Sequence, residues 1–382
     1  MQIKSLKLIG FRNYLELDLE FSDSKTIIIG KNAQGKSNLL EVIQILSHIK
    51  SRRATKDAEL INFEMEEAVI RAVASRHCEK ESSDDVAIQE EKQISLLIRK
   101  SGRRTLKINE ISKRPKELAH NIFSVSFMVD DLEIINGSPS KRRDWMDSVI
   151  SQLDYSYKDD LSKFEKILSQ RNSFLKDLAE KGKYYYRDLN QALKDQLDIW
   201  DDMFIEKANI LSTKRVEFIG KLEPSVENAY RNISGSNINL KINYLGSQLS
   251  KESLEESRAK DFARSYTNIG PQRDDVNFKL NDTLAQSFAS QGERRTLTLA
   301  IKLSELQLLK EVHGEYPILL LDDVLAELDE DRQDFLLDSI EPETQVIITT
   351  THLGKHLEKW SDNAQILEIE QGRVISNSSL VA

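Results

Sequence analysis

Polar and apolar residues alternate from the start of the chain. Ile3, Leu6 and Leu8, then Leu15, Leu17, Leu19 and Phe21, recur with the period of half-buried strands. The run Thr26–Ile29 leads straight into Gly30, and after Ser37 the period changes. Leu39, Leu40, Val42, Ile43 and Leu46 fall on one helix face. Strands are predicted again at Ala68–Ala74, Ile94–Ile98 and Thr105–Ile108, with the polar stretch Glu79–Glu91 as an exposed hairpin loop. From 123 to 262 the pattern is helical, in long charged segments such as Tyr155–Phe174 and Tyr186–Ile219. A strand signal returns at Val276–Leu280, and the apolar run Ile318–Leu321 follows. The expected organisation is one α/β domain built from residues 1–122 and 263–382, with an all-helical arm, 123–262, inserted between them.

Composition narrows this picture. A chain of 382 residues accommodates two domains and a sizeable core. Its apolar runs are too short to cross a membrane, and its first residues lack a continuous signal-peptide core. The lone Cys78 cannot form an internal disulfide, and with His77 alone it makes no metal site. A cytoplasmic protein without membrane contact is expected. The net charge of −9 disfavours wholesale coating of nucleic acid but allows a local basic surface.

The chemistry lies in three distant segments. Gly30, Lys31, Asn32, Ala33, Gln34, Gly35, Lys36 and Ser37, followed by Asn38, fit the phosphate-loop pattern G-x-x-x-x-G-K-[ST] between a strand and a helix. Two glycines let the backbone N–H groups curl toward phosphates, and the helix adds the positive end of its dipole. Lys36 would reach the β- and γ-phosphates of ATP, and the Ser37 hydroxyl would ligate Mg²⁺. The second segment, Ile318–Asp323, is an apolar strand ending in two carboxylates. Asp322 is expected to hold Mg²⁺, through water, while Asp323 stands where ABC ATPases generally carry a glutamate that orients the attacking water.

The third segment, Ser290-Gln291-Gly292-Glu293, sits where the ABC signature would read Ser-Gly-Gly-Gln. Alone it reads as an ordinary helix cap. Just ahead of the acidic strand, Ser290 and Gly292 become an anion site for the γ-phosphate held by another subunit. Such a site is normally finished when two copies meet across the nucleotide. Ala326–Asp329 occupies the place of a D-loop, and His352, after the β-rich run Gln345–Thr351, that of the γ-phosphate-sensing switch histidine. Arg12 and Asn13 could contact nucleotide or DNA, and no Q-loop glutamine stands out. Three basic clusters could neutralise DNA phosphates: 50–56, 99–116 and 141–143.

With these motifs goes an end-to-end likeness. Phe11–Tyr14, Gly30–Glu41, Phe127–Leu132, Gly137–Asp147, Gln170–Asn172, Gly270–Asp275 and Leu321–Val324 with Glu327–Asp329 resemble the RecF family of bacterial recombination-mediator ATPases, relatives of the chromosome-structuring SMC heads. Val129 and Gln272 depart from residues common in that family, proline and histidine, away from the phosphate chemistry. The resemblance implies an ABC-type P-loop head and an ATP-dependent homodimer. That dimer would bind single-stranded, gapped or linear duplex DNA, release it by slow hydrolysis, and act with RecO and RecR to load recombinase. The alternative is the nucleotide-binding subunit of a membrane transporter. It is disfavoured because most of the chain separates Ser37 from Ser290, much further than in such subunits.

Overall fold

The computed structural model describes residues 1–78, 88–246, 248–360 and 362–379. The chain forms two compact units. Met1–Leu132, Asn232–Gly235 and Arg295–Ala382 make the first, and Glu133–Arg231 with Ser236–Arg294 the second.

The first unit holds two six-stranded sheets. One is antiparallel, in the spatial order Tyr14–Glu20, Gln2–Phe11, Glu67–Cys78, Ile88–Arg99, Arg104–Ile108, Ile111–Lys113. The other runs Arg373–Ser379, Gln365–Glu370, Lys25–Ile29, Val346–Thr350, Ile318–Asp322, Ser124–Met128, and all its pairs but the first are parallel. Both chain ends are needed for this sheet, because Lys25–Ile29 is flanked on each side by C-terminal strands. Two buried glutamines tie the ends together. Gln345 accepts from the Ile3 N–H and donates to the carbonyls of Ile3 and Ser22, while Gln365 bonds Glu20, Ser22 and Thr26.

Helix Lys36–His48 is buried on all its faces from Leu39 to Ser47 and joins a core drawn from both sheets, as expected of a helix with strands on either side. Within the first hairpin the expected alternation breaks at one place. Gly10, at φ +65°, interrupts the pairing opposite Leu15. Leu15 is left exposed and Tyr14 is turned inward, fully buried. An added Cβ on Gly10 would lie 2.7 Å from the Glu67 carbonyl oxygen, so only glycine fits there.

The second unit contains helices Pro139–Leu153, Tyr157–Glu180 and Lys251–Arg264, and helix Gln191–Ser234 as far as Arg231, with a small antiparallel sheet of Leu240–Leu245, Asp275–Leu280 and Thr283–Leu284. Its centre is ionic. The fully buried Arg171 guanidinium donates to Asp201 (2.8 Å), Asp261 (2.9 Å) and Thr267 (2.6 Å). Arg215 in turn forks onto Asp147 and bonds the Tyr157 hydroxyl. Removing one partner of such a buried pair costs about 3–5 kcal/mol, so these links fix how the helices pack.

Three expectations need correction. Residues 263–294, expected in the α/β domain, fall in the second unit, because Asp275–Leu280 pairs with Leu240–Leu245. The span 123–262 is not all-helical, since Ser124–Met128 forms the edge of the parallel sheet and Leu240–Leu245 pairs with Asp275–Leu280. Both segments alternate polar and apolar residues, Ser124-Val125-Ser126-Phe127 and Leu240-Lys241-Ile242-Asn243, a short strand signal outweighed by the long charged helical segments around it. The expected loop Glu79–Glu91 lies outside the described residues except for its end, where Ile88–Glu91 already belongs to a strand.

Candidate nucleotide site

Three neighbouring parallel strands end at one place. Ile29 pairs with Thr350, and Thr349 with Asp322, so the phosphate loop, the acidic pair and the segment leading to His352 all leave the carboxyl edge of the sheet. That edge is where open α/β sheets bind ligands. The Ser37 hydroxyl donates to the Asp322 carboxylate (2.9 Å), and the Thr349 hydroxyl donates to the same oxygen (2.6 Å). Thr349 also accepts from the Asp323 N–H, through its hydroxyl (3.1 Å) and its carbonyl (3.3 Å). Asp323 is held in the left-handed region at φ 51°, an uncommon conformation for a non-glycine residue and one that recurs at functional sites. Burial raises the Asp323 carboxyl above the ordinary carboxylate range. The Asp322 charge adds to this and Lys36 opposes it.

The loop between Ile29 and Lys36 is fixed on every side. Lys36, itself buried, donates its ammonium to the carbonyls of Gly30 (2.8 Å) and Lys31 (3.2 Å). Lys31, Asn32 and Ala33 are exposed at its rim. Gly30 has no room for a side chain, because a Cβ would sit 2.5 Å from the Ile369 carbonyl oxygen. Asn13 donates to the Gln34 carbonyl and accepts from Asn38, and the Tyr14 hydroxyl donates to the Gly35 carbonyl. Gln34 is also gripped by the turn of the C-terminal hairpin, where Gln371 donates to its side-chain oxygen (2.6 Å) and Gly372 to its carbonyl (3.0 Å).

Arg12 is engaged elsewhere. Its guanidinium forks onto the buried Glu41 of the loop helix (2.7 and 2.9 Å) and donates to the Glu59 carbonyl.

Ser290 and Gly292 belong to the second unit. Ser290 caps helix Gln291–His313 as half of a reciprocal box. Its hydroxyl and N–H donate to the Glu293 carboxylate (2.8 Å each), and its hydroxyl accepts from the Glu293 N–H (3.2 Å). The Ser290 backbone bond, more than any other, holds the Glu293 carboxyl below its usual range. The cap reading and the signature reading are therefore compatible, because Ser290 and Gln291 stay exposed. In the first unit, Gln333 donates to the carbonyls of Leu325 and Leu328, which pins the segment Ala326–Asp329. His352 is exposed, its ring in contact with the Thr351 hydroxyl.

Sequence reasoning missed Thr349 and the clamp formed by Gln371 and Gly372. The Thr349–Thr351 run at a strand end, and a Gln-Gly pair between two alternating segments, were the available signals.

The basic clusters fare unequally. Arg142 forks onto Asp275, Arg143 donates to the Asp274 carbonyl and Lys141 pairs with Glu133, so the third cluster is committed internally. Arg104 forks onto Asp57 and donates to the Ile49 carbonyl. These links draw together the exposed neighbours Lys50, Lys56 and Arg103, which have no ion pair among the described residues.

The family described as RecF/RecN/SMC N terminal domain matches residues 2–374. A DNA replication and repair protein RecF from Rippkaea orientalis is 39% identical over 98% of this chain and 99% of its own. A solved structure of the recombination mediator protein RecF-ATP in the RecFOR pathway superposes with a TM-score of 0.86 at 33% identity, covering 99% of this chain and 97% of that one. The Smc head of Pyrococcus furiosus, 18% identical with a TM-score of 0.54, shares the fold, that of an ABC-type P-loop ATPase head. No helix among the described residues is long and apolar enough to cross a membrane, and nothing favours the transporter alternative. Residue by residue and in three dimensions, the chain belongs to the RecF family.

Proposed function

We propose that this protein is an ATP-gated DNA-binding switch of recombinational repair and replication restart, acting in the cytoplasm with RecO and RecR. One observation carries the reading: the Ser37 hydroxyl of the phosphate loop and the Asp322 carboxylate of the acidic strand meet at 2.9 Å. Oxygen donors of this kind suit a hard cation, and Mg²⁺ would be held by Ser37 and, through water, by Asp322. It would neutralise phosphate charge there. The N–H groups from Gly30 to Asn38 cradle the phosphates, and Lys36 turns its ammonium from the loop carbonyls to the β- and γ-oxygens.

Asp323 orients the attacking water, and the burial that raises its carboxyl makes it a better proton acceptor than a solvated aspartate. His352 contacts the γ-phosphate from the adjoining strand end. Ser290 and Gly292 of a second copy close the other side, so that ATP joins two protomers and hydrolysis parts them. The exposed Lys50, Lys56 and Arg103 supply a sequence-independent contact to DNA phosphates.

Binding of labelled gapped DNA, measured with no nucleotide, with ADP and with a slowly hydrolysed ATP analogue, tests the reading. Affinity should rise with the triphosphate alone. Equal affinity in all three states would remove the gate.

A further inference from the structure

A turn in the second unit combines exposed aromatics with closely spaced cations. Helix Tyr157–Glu180 ends in Lys181-Gly182-Lys183-Tyr184-Tyr185-Tyr186-Arg187. Its shape is fixed at both ends. Gly182, at φ +71°, donates to the Ala179 carbonyl and Lys183 to that of Leu178, the paired bonds of a glycine helix stop. On the far side Asp188 and Leu189 donate back to Tyr185 and Tyr186. Leu189 is buried among Leu175, Leu178, Leu197 and Phe262, with Tyr186 packed against them.

What remains outside is Tyr184, 55% exposed, and Tyr185, 56% exposed. An ordered turn that holds two adjacent rings half in water presents their faces to a ligand. Lys181 and Lys183 pair with no carboxylate among the described residues, and Arg187 lies over the Tyr185 ring at 4.8 Å. The flanking acids are partly occupied, Glu180 by Lys176 and Asp188 by Arg187.

We propose that the turn Lys181–Arg187 is a platform for single-stranded nucleic acid. Unpaired bases stack on Tyr184 and Tyr185 while Lys181, Lys183 and Arg187 hold the adjoining phosphates. The inference rests on the DNA-binding reading above and adds a second contact, selective for strands whose base faces are free. Aromatic rings spaced among cations are the general solution for sequence-tolerant single-strand binding, because every base has a face to stack. Duplex DNA hides those faces and would feel only the charges.

The test uses the full chain with Mg–ATP and two labelled probes, an oligo-dT strand of about 20 nucleotides and a blunt duplex of equal length. In Y184A/Y185A the affinity for the single strand should fall about tenfold or more, the effect of removing one base stack. Duplex affinity, ATP affinity and melting temperature should hold, and Y184F/Y185F should restore single-strand binding. In K181S/K183S the single-strand slope of log affinity against log salt should flatten by about 1.4, roughly 0.7 per cation. Unchanged oligo-dT affinity in Y184A/Y185A, as a surface made for an acidic protein segment would give, overturns the platform alone. So does an equal loss for both probes. A wild-type protein that binds neither probe overturns the DNA reading and the platform together.

Discussion

Around Lys36 and Ser37 the hydrogen bonds reach far along the chain, to Asp322, and through Gln34 to Gln371 and Gly372. Around Ser290 they stay local, running to Glu293 and Arg294. The difference teaches what each region has to do. A loop that seizes phosphate benefits from being shaped in advance, since groups already ordered lose little entropy on binding. A turn that completes another molecule's site must instead be stable by itself and accessible, and a self-contained capping box meets both needs. On the reading proposed above, one region is a half-site shaped in advance and the other the wall that a second copy supplies.

The comparison can be broken from either side. The largest effect should come from Asp323→Asn, which keeps the shape and removes the base. Turnover should fall about 100-fold or more, with ATP still bound and the dimer persisting. Near-normal hydrolysis would assign the water-orienting role elsewhere. Lys36→Met, which removes the buried ammonium, should weaken ATP binding by up to about 100-fold in a fluorescent-nucleotide titration, and unaltered affinity would mean the loop is misread.

Ser290→Arg tests the opposite wall. Monomer affinity for ATP should hold within about twofold while ATP-driven dimerisation disappears, because the long side chain fills the place where the anion should sit and removes the hydroxyl of the reciprocal cap. An unchanged sedimentation shift would show that Ser290 is a cap and nothing more. Gly372→Ala sharpens the preorganised side. Its Cβ would meet the Asn13 carbonyl oxygen at 2.5 Å at a φ of +71°. Left-handed strain of about 1–2 kcal/mol should loosen the grip on Gln34 and weaken nucleotide binding up to roughly tenfold. Equal affinity would show that the hairpin turn does not shape the loop.

The smallest effect is on stability. A carboxyl whose pKa is raised on folding costs stability while ionised, and the cost fades as pH falls through the folded value toward the unfolded one near 3.9. Asp323→Asn should therefore melt slightly higher at pH 7 and show no advantage at pH 3.5. An advantage that grows in acid would have the wrong sign.

Much of this site could be read from the sequence, because its chemistry is local in register. Gly30–Ser37 lies between a strand and a helix, and Asp322 ends an apolar run, so both could be placed without coordinates. Contacts made at long range could not. The threonine run at Thr349 and the Gln-Gly pair at Gly372 mark a strand end and a turn, but neither names its partners, Asp322 and Asp323 for the one and Asn13 for the other. The fold followed the same rule. Gln2–Phe11 was evident from alternation and Lys25–Ile29 from the apolar run that leads into Gly30, whereas Ser124–Met128, buried throughout at a sheet edge, is a five-residue alternation at the head of a long helical stretch. Charge runs were the least informative. Arg142 and Arg143 look like a DNA-binding pair and instead hold Asp275 and the Asp274 carbonyl.

Sedimentation of the wild-type chain at micromolar concentration, with no nucleotide, with ADP and with a labelled, slowly hydrolysed ATP analogue plus Mg²⁺, addresses the two-walled site most directly. A single species of one protomer should appear in the first two conditions and a species of twice that mass in the third. If the analogue co-sediments at saturation with a lone protomer, the shared site does not exist.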